Sequence, residues 1–277
     1  MAGLLALRYE ECNTVTTTTI HLAAERPELM QIGQDFCATM LPDALVQPSE
    51  LANLTMFMDD PEAEHDLIVL VMHADENGQL TPNSATVQSI MTSTIPVLVL
   101  RDTPNPNHPL QRIVVPLDGS TTASQAIPVA SRIARRLHLP VQFVMVIDPS
   151  RVIPPAYTYD PDAWSLIEDL RETSHWALQQ SEEIIRRDGV QVDSSIVFGP
   201  INASLQAMID PTDLVVMCTH GPKRHGLRYS DSVTQRTLVA IPAPMIVMRA
   251  SQGQSAIQEG YAACSWIEPL RNGVQMA

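Results

Sequence analysis

The chain has 277 residues, 45% of them hydrophobic, which is enough for one or two full cores, and a net charge of −14. Residues 1–108 hold 15 acids against three arginines, an acidic surface that excludes non-specific nucleic-acid binding and docking on anionic membranes, both of which need clustered Lys and Arg. No apolar run approaches the roughly 18 residues of a membrane span, and Cys12, Cys37, Cys218 and Cys264 have the spacing of neither a disulfide framework nor a zinc site, so reduced thiols in a cytoplasmic protein are expected.

In chain order, residues 3–9 and 15–23 read as β-rich segments, and the opening MAGLLALRYEE turns acidic too soon for a signal peptide. Leu29, Ile32, Phe36, Met40 and Leu41 have helical spacing over 28–41, and Ser49 is placed to cap a second helix carrying Leu51, Leu54 and Phe57. LIVLVM (67–72) and VLVL (97–100) are strands, and the Pro- and Asn-rich 101–111 is the linker. RIVVPL (112–117) is a continuous apolar run, as a strand covered on both faces requires. A helix follows with a small-residue stripe from Ala123 to Leu137, in which Pro128 is expected to cost a hydrogen bond or a kink. Next come a strand at 140–147, a long helix from Ala163 to Asp188 stopped by Gly189, a strand at 190–198 and a short helix at 202–209. The stretch 213–249 reads as strand, polar loop, helix and strand. The alternation predicts an α/β fold with an open parallel sheet and helices on both faces.

The stretch 213–249 also repeats 66–101. At an offset of 147, Asp66 and Asp213, His73 and His220, and Gln88 and Gln235 coincide; after a one-residue gap so do Pro96 and Pro244, Val99 and Val247, and Arg101 and Arg249. An internal repeat of this length predicts two tandem, related domains: 1–108, the more eroded copy, and 109–250, with 251–277 as a C-terminal extension. VLVL (97–100) and MIVM (245–248) are the candidate edges through which the two would pair.

VVPLDGS after the strand at 112–117, VMVID, FGPINASLQAMI, and MCTHG followed by DSVTQ resemble the universal stress protein family, well over 112–249 and only as a worn copy over 15–101. The resemblance implies a five-stranded parallel sheet between helices, with ATP bound, in many members, at the C-terminal edge of that sheet. It places Asp118 and Val146 at the adenine edge, Pro116 beside them, and Met217, Gly221, Ser232 and Val233 on the ribose and phosphate side. The family's Gly-x2-Gly-x9-Gly-[Ser/Thr] pattern keeps one glycine of three here: Cys218 and Asp231 replace the others, and Asp231 would set a carboxylate near phosphate. Lys223, Arg224, His225 and Arg228 supply positive charge in the same loop. Asp118 reads equally as a turn or helix-cap residue, and Asp231 as a helix N-cap.

In the first copy Val71, Ala74 and Ser84 stand where the motif has glycine, and Asp75 and Glu76 add negative charge, so no nucleotide site is expected there. His73 and His220 lack a neighbouring nucleophile and orienting acid in the sequence, and no catalytic residues or metal ligands are assigned. The expectation is a stress-response protein of the cytoplasm, not primarily an enzyme, that binds ATP or another adenine nucleotide with Mg weakly or not at all. Its partners would be an intramolecular pseudo-dimer, a homodimer or an unidentified protein. The alternative is a module that binds no nucleotide and recruits its partner through the acidic N-terminal domain or the tail.

Overall fold

The computed structural model describes residues 19–50, 67–80, 84–102, 109–153, 161–219 and 232–250. The segments at 3–9 and the helix expected after Ser49 lie outside the described residues. The elements run β1 (Thr19–Ala24), α1 (Met30–Met40), β2 (Leu45–Pro48), β3 (Leu67–Met72), α2 (Ser84–Thr92), β4 (Val97–Arg101), β5 (Arg112–Leu117), α3 (Thr121–Ser124), α4 (Ala126–Leu137), β6 (Val141–Ile147), α5 (Pro149–Val152), α6 (Pro161–Arg187), β7 (Val192–Phe198), α7 (Ile201–Met208), β8 (Asp213–Thr219), α8 (Val233–Ala240) and β9 (Met245–Arg249). The nine strands form one sheet in the order β2-β1-β3-β4-β9-β8-β5-β6-β7. The α/β expectation therefore holds for both halves, β1–β4 and β5–β9.

Burial follows position in the sheet. β3, β4 and β8 are buried at every residue, as central strands covered on both faces must be, whereas the edge strand β2 is largely exposed and the edge strand β7 largely half-exposed. β2 has no counterpart in the sequence reading, because four residues at an edge, LVQP, carry no alternation to detect. Leu29, Phe36, Ile133 and Leu178 place α1, α4 and α6 over one face, and Val87, Ile90, Leu205 and Leu238 place α2, α7 and α8 over the other. Gly189, at φ 76°, ends the turn after α6.

The helix expected over 123–137 is two helices, broken at Gln125. The break answers Pro128: because α4 restarts at Ala126, the proline falls in a first turn, where the missing N–H would have no intrahelical acceptor and costs nothing. Of the two expected costs, a lost hydrogen bond or a kink, it is the interruption of the helix that is seen.

All neighbouring strands are parallel except one pair. β4 and β9 run antiparallel, with Val97 opposite Val247, Leu98 opposite Ile246 and Val99 opposite Met245, so the two segments read as pairing edges do meet. All six side chains are buried. Arginines shared by the repeat reach across this junction in opposite directions. Arg101, the last residue of β4, donates to the carbonyls of Leu238 and Ala243 in the second half, and Arg249, the last of β9, donates to the Thr92 carbonyl in the first at 3.3 Å. Each cation meets the C-terminal end of a helix of the other half, where the helix dipole favours positive charge.

Candidate functional site

The chain leaves β5 towards β6 on one side and returns by way of β7 to β8 on the other. The carboxyl ends of β5 and β8 are thus the topological switch point of the second half, the place where an open parallel sheet presents a crevice. The ladders show that this crevice opens. β5 and β6 stay paired to Leu117 and Met145, and β8 and β9 to Thr219 and Arg249, but β5 and β8 pair only from Arg112 and Asp213 to Val114 and Val215.

Pro116 explains where the ladder stops. The Ile113 N–H donates to Pro140 on the β6 side, so by alternation residues 114 and 116 face β8, and the next ladder bond to β8 would need an N–H that proline lacks. At the opposite end the two strands are held firmly together. Arg112 donates to both carboxylate oxygens of Asp213 at 2.8 and 2.9 Å, and those bonds hold its guanidinium above the ordinary range. The pair accounts for the Asp213 of the repeat.

Four of the sequence-predicted residues converge at the open end. Met217 is buried, and Val146 and Val233 are partly buried, in the core beneath α7 and α8; Pro116, two residues beyond the buried Val114, has the same facing. Asp118 stands exposed at the rim. Its Oδ1 accepts the Ser120 N–H at 2.9 Å, Gly119 takes φ 77°, and Ser120, not Asp118, caps α3 by accepting the Ala123 N–H. Of the two structural roles open to it, Asp118 has that of the turn residue.

Ser232 is the N-cap of α8, so the cap position does not fall on Asp231, and its hydroxyl makes no capping bond to the first turn. Gly221, Asp231 and the basic residues Lys223, Arg224, His225 and Arg228 lie outside the described residues, as does His220. Cys218 packs with Val216 and Met248 on the other face of the sheet, beneath α4, so its side chain is turned away from the face that carries Met217 and Val233.

The first half differs at the equivalent place. β1 and β3 pair along their whole length, from Ile20 and Leu67 to Ala24 and Val71, and the Glu25 N–H extends the ladder to the Val71 carbonyl at 2.8 Å. The two backbone donors just past β3 are then taken by the chain's own carboxylates. Glu25 Oε2 accepts the His73 N–H at 2.9 Å, and Asp102 Oδ1 accepts the Ala74 N–H at 2.6 Å, while Asp102 Oδ2 holds His73 Nδ1 at 2.6 Å. Sequence reasoning missed Glu25 and Asp102, which do not belong to the repeat. Each directly follows a strand, the only hint of its place at the sheet edge.

Another concavity lies between α1 and α4 over the junction. Phe36, Met40, Ile133, Leu137 and Ile246 line it, and apart from Arg136 its walls are apolar, so it has little with which to orient a polar ligand. Among the described residues there is no group of three His, Cys, Asp or Glu that could hold a metal ion, and no helix is long and apolar enough to cross a membrane.

A doubly covered, mostly parallel sheet with its crevice at a switch point defines an open-sheet α/β protein. The Universal stress protein family model matches residues 109–249, half of the chain, and the chain belongs to that family. Among solved structures, a universal stress protein from Archaeoglobus fulgidus DSM 4304 matches with a TM-score of 0.52 at 14% identity, over 84% of this chain and 87% of its own. A functionally unknown protein from Pseudomonas aeruginosa PAO1 gives 0.51 at 14%, over 89% and 84%. The universal stress protein UspA from Lactobacillus plantarum, at 24% identity and a TM-score of 0.45, covers 52% of this chain and all of its own. No curated protein matches the sequence.

Proposed function

We propose that this is a stress-response protein of the cytoplasm with a single adenine-nucleotide site, in the second half, and that the first half binds no nucleotide. The observation that carries the reading is the contrast between the two switch points: the β5–β8 ladder stops at Val114 and Val215, whereas the β1–β3 ladder is complete and carboxylates fill the donors beyond it. Asp118 and Val146 take the adenine edge with Pro116 beside them. Met217 lies beneath the ribose, and Gly221 with the uncapped first turn of α8 at Ser232 and Val233 faces the phosphates, accompanied by Mg.

Affinity is low because two of the three motif glycines are replaced and Asp231 brings a like charge to the phosphates. The residues divide as 1–108 and 109–250, with 251–277 an extension, and the pairing that relatives could make between subunits is made here within one chain.

Calorimetric titration of the full chain with ATP and Mg²⁺ tests this. The expected result is one site with Kd on the order of 100 μM, weakened about tenfold by Asp118→Ala. Two sites, or submicromolar binding, would overturn it. No heat at millimolar ATP would favour the module that acts without nucleotide.

A further inference from the structure

We propose that the first half is a built-in regulator of the second-half crevice and acts through α8; the inference rests on placing the ligand site in the second half. Three groups of the first half grip the C-terminal end of α8 and the turn after it. Arg101 donates to the Leu238 carbonyl and, at 2.5 Å, to that of Ala243. The Leu80 N–H donates to the Val239 carbonyl at 3.0 Å. Gly78, at φ 73°, lies so close to Pro242 that a Cβ there would come within 2.9 Å of the proline Cβ. The other end of α8, about 12 Å away for eight residues, is the Ser232–Val233 rim of the crevice. There the buried Thr234 hydroxyl reaches the Cys218 carbonyl on β8 at 3.5 Å.

The gripping loop, 74–80, follows β3 in the chain as residues 220–231 follow β8. Its polar groups are tied within the first half. Asp75 Oδ1 accepts the N–H groups of Asn77 and Gln79 at 2.9 and 2.8 Å, Ala74 bridges to Leu80, and Asp102 anchors Ala74. The internal carboxylates thus do for this loop what a bound anion does for a ligand loop, and a loop of fixed shape can serve as a clamp. In return, among the described residues, β9 of the second half packs beneath α2 and Arg249 donates to the Thr92 carbonyl through an exposed bond. A short, well-packed helix held at one end transmits a tilt to its other end, because packed elements shift as units.

The Arg236 N–H, which donates to the Ser232 carbonyl at 3.1 Å, reports on the rim end of α8, and the Val141 N–H, which donates to the Gln191 carbonyl at 2.9 Å between β6 and β7, serves as an internal control for global opening. Amide hydrogen exchange of the full chain is read by mass spectrometry in the native protein, in Gly78→Ala and in Arg101→Lys. The expected result is Arg236 exchanging about tenfold faster in either variant with Val141 unchanged, the mark of local rather than global opening. Equal acceleration of both amides, or no change at Arg236 in both variants, overturns the proposal. If Arg101→Lys does not fold, Gly78→Ala alone decides. In a separate arm, ATP with Mg²⁺ slows exchange at Arg236 in the native protein if the crevice is the nucleotide site. Acceleration by the variants with no effect of ATP would remove the ligand assignment and leave the clamp standing.

Discussion

Pro116 occupies a position, a central strand, from which proline is normally excluded, and its cost is one ladder bond between β5 and β8. Restoring that bond tests whether the crevice depends on it. Pro116→Val supplies the missing N–H, and the variant is expected to be more stable by about 1 kcal/mol in urea unfolding, with the amide at 116 protected from hydrogen exchange and ATP affinity reduced. A second residue-scale prediction concerns Thr237, which is 1% exposed and whose hydroxyl has no hydrogen-bond partner among the described residues. Replacing it by the isosteric valine removes a desolvated polar group, so Thr237→Val is expected to raise stability by about 1 kcal/mol, read from the denaturation midpoint at unchanged slope.

At the scale of elements, sequence and structure agree where an element is its own explanation. β3, β5 and β8 are continuous apolar runs, and the pattern that marks them as doubly buried strands is written in six or seven consecutive residues. They disagree where an element depends on context. The small-residue stripe from Ala123 to Leu137 is one uninterrupted period in the sequence and two helices in the structure, because starting again at Ala126 is the cheapest way to accommodate Pro128. The loop at 74–80 is another such case. Asp102→Ala leaves the Ala74 N–H and His73 Nδ1 without the carboxylate that holds them, and is expected to cost about 1–3 kcal/mol and to speed hydrogen exchange at Ala74 through Leu80.

Over the whole molecule, the decisive contact is the antiparallel pair β4–β9, which makes two half-sheets into one. Leu98, 4% exposed, sits at the centre of that pair opposite Ile246, so Leu98→Ala is expected to cost 2–5 kcal/mol, roughly the usual range for a buried leucine, and to loosen both halves together in a single thermal transition. The same geometry predicts the behaviour of the second half alone. Without β4, a chain of residues 109–250 exposes the β9 edge, and it is expected to form a concentration-dependent dimer, seen by light scattering, through antiparallel pairing of β9 with its copy.

The order of residues was sufficient for the parallel sheet, the two-fold repetition and the edges that pair, because each is encoded in apolar runs and local turns that act over one or two elements. Pro116, Val146, Met217 and Val233 were named by the resemblance to the universal stress protein family, and strand alternation turns the first three to the face of the sheet on which Val233 packs. Three features came only with the assembled fold: the closing of the first crevice by Glu25 and Asp102, the exchange of Arg101 and Arg249, and the hold of the first half on α8. Their partners lie from 28 residues apart, Ala74 and Asp102, to 164 apart, Gly78 and Pro242 (242 − 78), and no periodic pattern links groups at such separations. They meet because the β4–β9 junction and the parallel crossovers bring the strand ends together, and it is there, in the hydrogen bonds of those ends, that the two halves differ.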